Sequence, residues 1–214
     1  MKIRRLAAFG LAAASLAAVT AVPTASAGTA DSKSLTIADV LLADDKGKDP
    51  NDPNLFDKNW RDYDIVTEAV LLFPDLVTAA SNPSASLTVL APNDAAFRTL
   101  ATQLTKKHYR TEADVFAAVA SLGVDTVKAV LTYHIVGAKL DPATVLASDN
   151  AQITTLAGGT FAVDVISKRA AFVQFVDGDP NARNAFLNKI NVGGGELANG
   201  YIHGVDRVLR PIDL

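Results

Sequence analysis

Apolar residues recur at helical spacing through most of the first half of the chain. Ile37, Val40 and Leu41 share one face of a short helix over 34–42, opened by a Ser or Thr cap. Ile65, Ala69 and Leu72 do the same over 64–72, and Pro74 to Val77 starts a further helical turn that ends near Ser81-Asn82-Pro83. Leu87 to Ala91 breaks the pattern: its apolar, β-branched content predicts a short buried strand. Pro92-Asn93-Asp94 then turns into a helix through Ala95, Ala96, Phe97 and Leu100. Thr111 caps a helix to Ser121, with Val115, Ala118, Val119 and Leu122 on its apolar face and Gly123 as its stop. Helices are also predicted over 125–132 and, as a short turn carrying Val145 and Leu146, after Asp141-Pro142.

The second half changes period. Segments 151–156, 160–166, 171–176 and about 186–192 read as strands, the first two joined by a hairpin turn at Ala157-Gly158-Gly159. Asn199-Gly200 predicts a tight turn, since both residues tolerate positive φ, and alternating residues from Ile202 to Arg210 read as a last strand closed by Pro211. Gly193-Gly194-Gly195 reads as a flexible turn. Helices followed by a run of strands predict an α+β domain. The polar segment from Asp44 to Tyr63 reads as a loop held down by Phe56 and Trp60, and 177–184 as a second loop.

Lys2, Arg4 and Arg5, an apolar run from Leu6 to Val22 and Ala25-Ser26-Ala27 together predict a secretory signal peptide over 1–27, cut after Ala27. Residues 28–34 are then a small, polar, flexible lead-in, and 35–214 a single domain. Cleavage leaves 17 basic against 23 acidic residues, a net charge of −6, which disfavours nucleic acid and anionic membrane as partners. The densest basic cluster, Lys106 to Arg110, reads as a solvated helix end or loop. With no cysteine, neither disulfides nor a lipid-modified cysteine anchor is expected, and stability rests on the core. No integral membrane anchor is expected, and the product is read as secreted or extracellular.

Three blocks carry the most specific information: Leu87-Thr88-Val89-Leu90-Ala91-Pro92-Asn93-Asp94-Ala95-Ala96-Phe97, then Leu131-Thr132-Tyr133-His134-Ile135-Val136, then Asn199-Gly200-Tyr201-Ile202-His203-Gly204-Val205-Asp206-Arg207-Val208-Leu209-Arg210-Pro211. In this order and spacing they resemble the motifs of the fasciclin (FAS1) domain family. The departures are mild: Leu90 where Phe is common, Asn93 where Thr or Ser is common, and Gly204 where a branched residue is usual. The resemblance covers about 35–212, with 44–62 and 177–185 as inserted loops, and bacterial origin suits it. It implies a wedge-shaped β-sandwich with several helices packed on one side. It also implies adhesion, with the Tyr133-His134 region in a contact role; flanked by Leu131, Ile135 and Val136, both side chains equally suit a structural place in the core. Pro92, Asn93, Asp94, Phe97, Asn199, Gly200, His203 and Asp206 are motif positions read as structural.

Candidate chemistry is sparse. Asp44, Asp45, Asp49, Asp52 and Asp57 invite a calcium reading, but their spacing fits no EF-hand loop and Pro50 and Pro53 interrupt it, so they read as a solvated acidic loop. His108 lies among cations, while His134 and His203 read as satisfied core histidines; no metal and no cofactor are expected. Asp94 reads as a helix cap and turn former, and Asp206 as a partner for Arg207, Arg210 or a motif histidine. No Gly-x-Ser-x-Gly elbow or phosphate loop occurs, so no catalytic residue is assigned. Two functions follow. One is a noncatalytic, secreted adhesion domain binding an extracellular or cell-surface protein or polysaccharide. The other is a secreted carrier or sensor of a small apolar ligand. A large closed apolar cavity favours the carrier and a flat exposed apolar patch the adhesin.

Overall fold

The computed structural model describes residues 32–43 and 56–212; the signal peptide, most of the lead-in and Asp44 to Asp52 of the acidic segment lie outside these residues. Seven helices and seven strands follow in the order α1 (Ile37–Ala43), α2 (Asp64–Leu71), α3 (Pro74–Ser81), β1 (Leu87–Pro92), α4 (Asp94–Thr105), α5 (Glu112–Ala120), α6 (Val124–Tyr133), β2 (Ile135–Val136), α7 (Pro142–Ala147), β3 (Gln152–Thr154), β4 (Thr160–Ser167), β5 (Phe172–Val176), β6 (Ala185–Leu197) and β7 (Gly200–Val205). The fold is α+β.

The strands form one hydrogen-bonded series, β2-β1-β7-β6-β5-β4-β3. The β1–β7 pair is parallel, with Val89 opposite Ile202, and the others are antiparallel. The two arms of the series share β6. Its pairing with β7 shifts register three times between Leu187 and Leu197, around Asn191, Gly193 and Gly194 at positive φ. Gly193-Gly194-Gly195 is therefore a bulged stretch inside a long strand, not the turn its composition suggests. Glycine tolerates the left-handed backbone that such bulges need. Where β6 bends, Val40 of α1 lies 3.2 Å from the position a Gly193 Cβ would take.

Because strand residues alternate sides, β1 serves two cores. Leu87, Val89 and Ala91 join Ile202 and Val192 against Ile37, Ile65, Phe97, Val115 and Leu131 of the helices. Leu90 joins Val205, Phe161, Val163, Val173, Phe175 and Leu187 between the two arms of the sheet. Helix α7 is the exception to helices on one side, since Val145 packs into this second core.

The boundaries have local causes. Asn93 Oδ1 accepts the Ala96 N–H at 2.9 Å and caps α4, Thr111 caps α5 through the Asp114 N–H at 3.1 Å, and Asp141 caps α7 through Thr144. Helix α4 runs to Thr105, past Leu100, until Lys106 adopts a left-handed backbone with φ 59°. Phe56 packs against Phe116 with ring centroids 5.4 Å apart and planes tilted by 47°, and Trp60 lies under the Arg98 guanidinium at 4.1 Å, so both rings hold their segment on the helices.

Candidate functional site

The three motif blocks meet in space. Tyr133 is the last residue of α6 and His134 its C-cap, so the block runs from the end of that helix into β2. His134 is buried: its Nδ1 lies 2.7 Å from the Val130 carbonyl, and its Nε2 accepts the Leu209 N–H at 2.9 Å. Since Nε2 accepts, Nδ1 carries the proton in the neutral ring. Burial holds this imidazole down to a pKa of about 4. His203 has the opposite tautomer: Nδ1 accepts the Asn191 N–H at 3.1 Å and Nε2 donates to the Leu140 carbonyl at 2.8 Å. Burial lowers its pKa too. The Tyr133 hydroxyl donates to the Thr160 carbonyl at 2.6 Å, and its ring meets Phe161 edge-on, which in turn meets Phe175 edge-on. Burial raises the Tyr133 pKa, with the Asp177 charge adding to it. Tyr133, His134 and His203 are thus interior side chains braced against backbone.

Asn199 is also buried. Its Oδ1 accepts the Ile37 N–H at 2.9 Å and its Nδ2 donates to the Ala80 carbonyl at 2.7 Å, tying α1 and α3 to the β6–β7 turn. That turn is made by Ala198 and Asn199, with Leu197 opposite Gly200, so the expected Asn-Gly turn is displaced by one residue. Gly200 opens β7 at φ 148°, where a Cβ would run into the Leu87 carbonyl. Asp206 does not take an arginine or histidine: its Oδ1 accepts the Phe186 N–H at 2.6 Å, and its own N–H donates back to Phe186 O at 3.0 Å. Arg210 pairs instead with buried Asp179 at 3.0 Å and donates to Gln103. Pro92 ends β1 opposite Val205, and Phe97 lies in the helical core.

The capping roles of Asn93 and Asp94 divide. Asn93 caps α4, whereas Asp94 is the first residue of α4 and its Oδ1 accepts the Ile65 N–H at 2.9 Å, serving the neighbouring helix α2. Asp94 also belongs to a buried group with Asp62 and Glu112, in which one oxygen from each residue lies within 4.8 Å of the others. Asp57 and Asp64 form a second such group with Asp62. Burial, reinforced by Asp62, pushes Asp94 up to about 10. Burial and then the charges of Asp62, Asp57 and Asp64 push Glu112 up to about 8; a smaller downward pull comes from the Asp57 amide, whose hydrogen bond goes to Asp64 Oδ2 at 3.4 Å. Asp62 is raised for the same first reason. Sequence reasoning passed over this cluster, because its members are 50 residues apart from Asp62 to Glu112 and only Asp94 belongs to a motif.

The third feature is the outer face of β4–β5–β6. Inward Val173 and Phe175 alternate with outward Phe172, Gln174 and Val176. Ile166, Phe172 and Val176 are 50%, 43% and 37% exposed, and the Phe172 and Phe186 rings stack at 5.0 Å, 5° from parallel. By contrast, the apolar void among Ala69, Phe97, Val119 and Leu131 measures only about 10 Å³. No single helix among the described residues is long and apolar enough to cross a membrane.

The domain is α+β, with Tyr133, His134 and His203 bracing its interior and apolar side chains exposed on the outer face of its sheet. The fasciclin domain family matches residues 66–211, and the chain belongs to that family. Among solved structures it is similar to one described as "Novel Fold Revealed by the Structure of a FAS1 Domain Pair from the Insect Cell Adhesion Molecule Fasciclin I". That similarity has 15% identity and a TM-score of 0.49, and covers 68% of this chain and 46% of the other, so the chain spans under half of that structure's length. No curated protein matches the sequence.

Proposed function

We propose that this is a secreted, noncatalytic adhesion domain that attaches to a protein surface through the outer face of β4–β5–β6. The observation that carries this reading is the parallel Phe172–Phe186 pair, flanked by exposed Ile166 and Val176. Aromatic anchors inside a charged rim are what protein interfaces concentrate, and Asp164, Lys168, Arg169 and Arg183 lie on or beside these strands. Tyr133 acts as a positioning residue: it holds Thr160 and packs on Phe161, beneath the strands whose outer face makes the contact. His134 secures the end of the same helix. Family membership supports the adhesion class, and the basic, apolar and small-residue order of residues 1–27 supports export. A carrier of apolar ligands needs an apolar cavity of about 300 Å³ or more; among the described residues the enclosed apolar void is about 10 Å³, and the hollows of about 380 and 420 Å³ are open and lined by polar and charged side chains such as Arg98, Gln103, Asp179 and Arg210.

Retention of the purified protein on envelope fractions, matrix proteins and polysaccharides tests the reading. Saturable binding to a protein surface is expected, with loss in a folded Phe172→Ser/Phe186→Ser variant. Equal binding by that variant rejects this face, and retention on polysaccharide alone rejects a protein partner.

A further inference from the structure

Three helices begin at one place. Asp62 lies two residues before α2, Asp94 opens α4 and Glu112 opens α5, and their carboxylates converge as described. Glu112 is 1% exposed, yet neither of its oxygens meets a hydrogen-bond donor, and Asp62 Oδ1 and Asp94 Oδ2 have no donor other than a proton shared between the two carboxyls. A buried carboxylate without a partner is costly, so these four oxygens in one place need an explanation.

The local amides do not supply it. Asp94 N–H donates to Asp62 O at 3.1 Å, Ala95 N–H to Trp60 O at 2.9 Å and Ile65 N–H to Asp94 Oδ1 at 2.9 Å. Asn93 and Thr111 take the next amides of α4 and α5. The helix ends contribute about half a positive charge each, less than the three carboxylates would need if all were ionised. The neighbouring charges that act on Glu112 are those of Asp57, Asp62 and Asp64, which add to the deficit.

We infer that Asp62, Asp94 and Glu112 bind a calcium ion that ties together the starts of α2, α4 and α5. An all-oxygen set of carboxyl groups selects a hard cation, whose binding displaces the protons that burial keeps on Asp94 and Glu112. Ligands on opposite sides of calcium, at about 2.3–2.6 Å each, stand about 5 Å apart, and the three oxygens here, all within 4.8 Å of one another, fall inside that reach. Magnesium requires about 2.0–2.1 Å and keeps several of its waters, which residues only 0% to 7% exposed leave little room to hold. Asp57 and Asp64, grouped with Asp62, add negative potential behind the site. This inference rests on the helical layer alone and does not depend on the adhesion reading.

The test uses the purified full chain, freed of metal with chelator. Calcium is expected to raise its melting temperature in proportion to the logarithm of its concentration above Kd, by about 5 °C at a hundredfold excess, with magnesium giving less. Terbium is expected to bind with emission sensitised by Trp60, the only tryptophan, and to be displaced by calcium. Glu112→Gln and Asp62→Asn, shown folded by circular dichroism, are expected to lose both responses. No thermal shift and no sensitised emission in the wild type overturn the inference, whatever the variants do. Wild-type responses in both folded variants overturn the placement, and an equal shift with magnesium overturns the choice of calcium.

Discussion

The Leu209 N–H donates to Nε2 of His134 across 2.9 Å, joining residues 75 positions apart in the chain. The acceptor nitrogen is the one that takes a proton in acid. Protonation therefore turns this bond into a clash of two donors inside the core, and burial resists it. The folded value of about 4 lies below the ordinary 6.5, so the unfolded state binds the proton first. Stability is then fully present above pH 6.5 and falls as pH drops toward 4, by about 3 kcal/mol across that window. Urea unfolding at steps from pH 7.5 to 4 measures this. His134→Gln is expected to be less stable at pH 7.5 and to show a flatter dependence; an unchanged slope assigns the acid sensitivity elsewhere.

Gly204 stands where the family favours a branched residue, and the reason is Tyr63. A Cβ on Gly204 would run into the Tyr63 hydroxyl and approach Asn188 Oδ1. Gly204→Val is expected to destabilise the protein by about 2–4 kcal/mol through overpacking. Tyr63→Phe should recover part of the loss in a Gly204→Ala background, which a double-mutant cycle measures.

Asn199 is a two-sided clasp, and its two sides are separable. Asn199→Ala removes both bonds and leaves the Ile37 N–H and Ala80 carbonyl unmatched, at an expected cost of about 2–4 kcal/mol. Asn199→Asp keeps the acceptor for Ile37 but sets a carboxylate oxygen against the Ala80 carbonyl. Its stability is expected to be low at pH 7 and partly restored near pH 4. A variant of either kind with wild-type denaturant midpoint would remove the clasp from the account.

Tyr133→Phe deletes one hydroxyl and keeps the edge-on contact with Phe161. The Thr160 carbonyl loses its 2.6 Å partner, so a cost of about 1–2 kcal/mol is expected. If Tyr133 positions β4, surface retention by the folded variant should weaken less than in the Phe172→Ser/Phe186→Ser variant. Retention lost equally in both would place Tyr133 in the contact itself.

Much of the architecture was readable in the chain. The helical faces through Ile37, Ile65, Phe97, Val115 and Leu131, and the alternation of Phe161, Val163, Val173 and Phe175, reflect burial periods that a linear sequence displays directly. Local capping was legible for Thr111 for the same reason, since donor and acceptor lie three residues apart. Two-residue β2 was not, because nothing in Ile135-Val136 distinguishes a strand from the continuation of α6. The glycine run in β6 misled because bulge and turn use the same residue.

Composition and period by themselves determined the α+β class, and the spacing of three short motifs the family. The partners of the polar residues were decided only by tertiary structure. Asp94 serves Ile65 of another helix, Asp206 serves Phe186, Asn199 serves Ile37 and Ala80, and Glu112 is brought from 50 residues away to face Asp62. The physical reason is range. Hydrophobic burial needs only a repeating pattern along one element, whereas a hydrogen bond or a shared ion needs two specific groups within about 3–5 Å, and that separation exists only once the chain has folded.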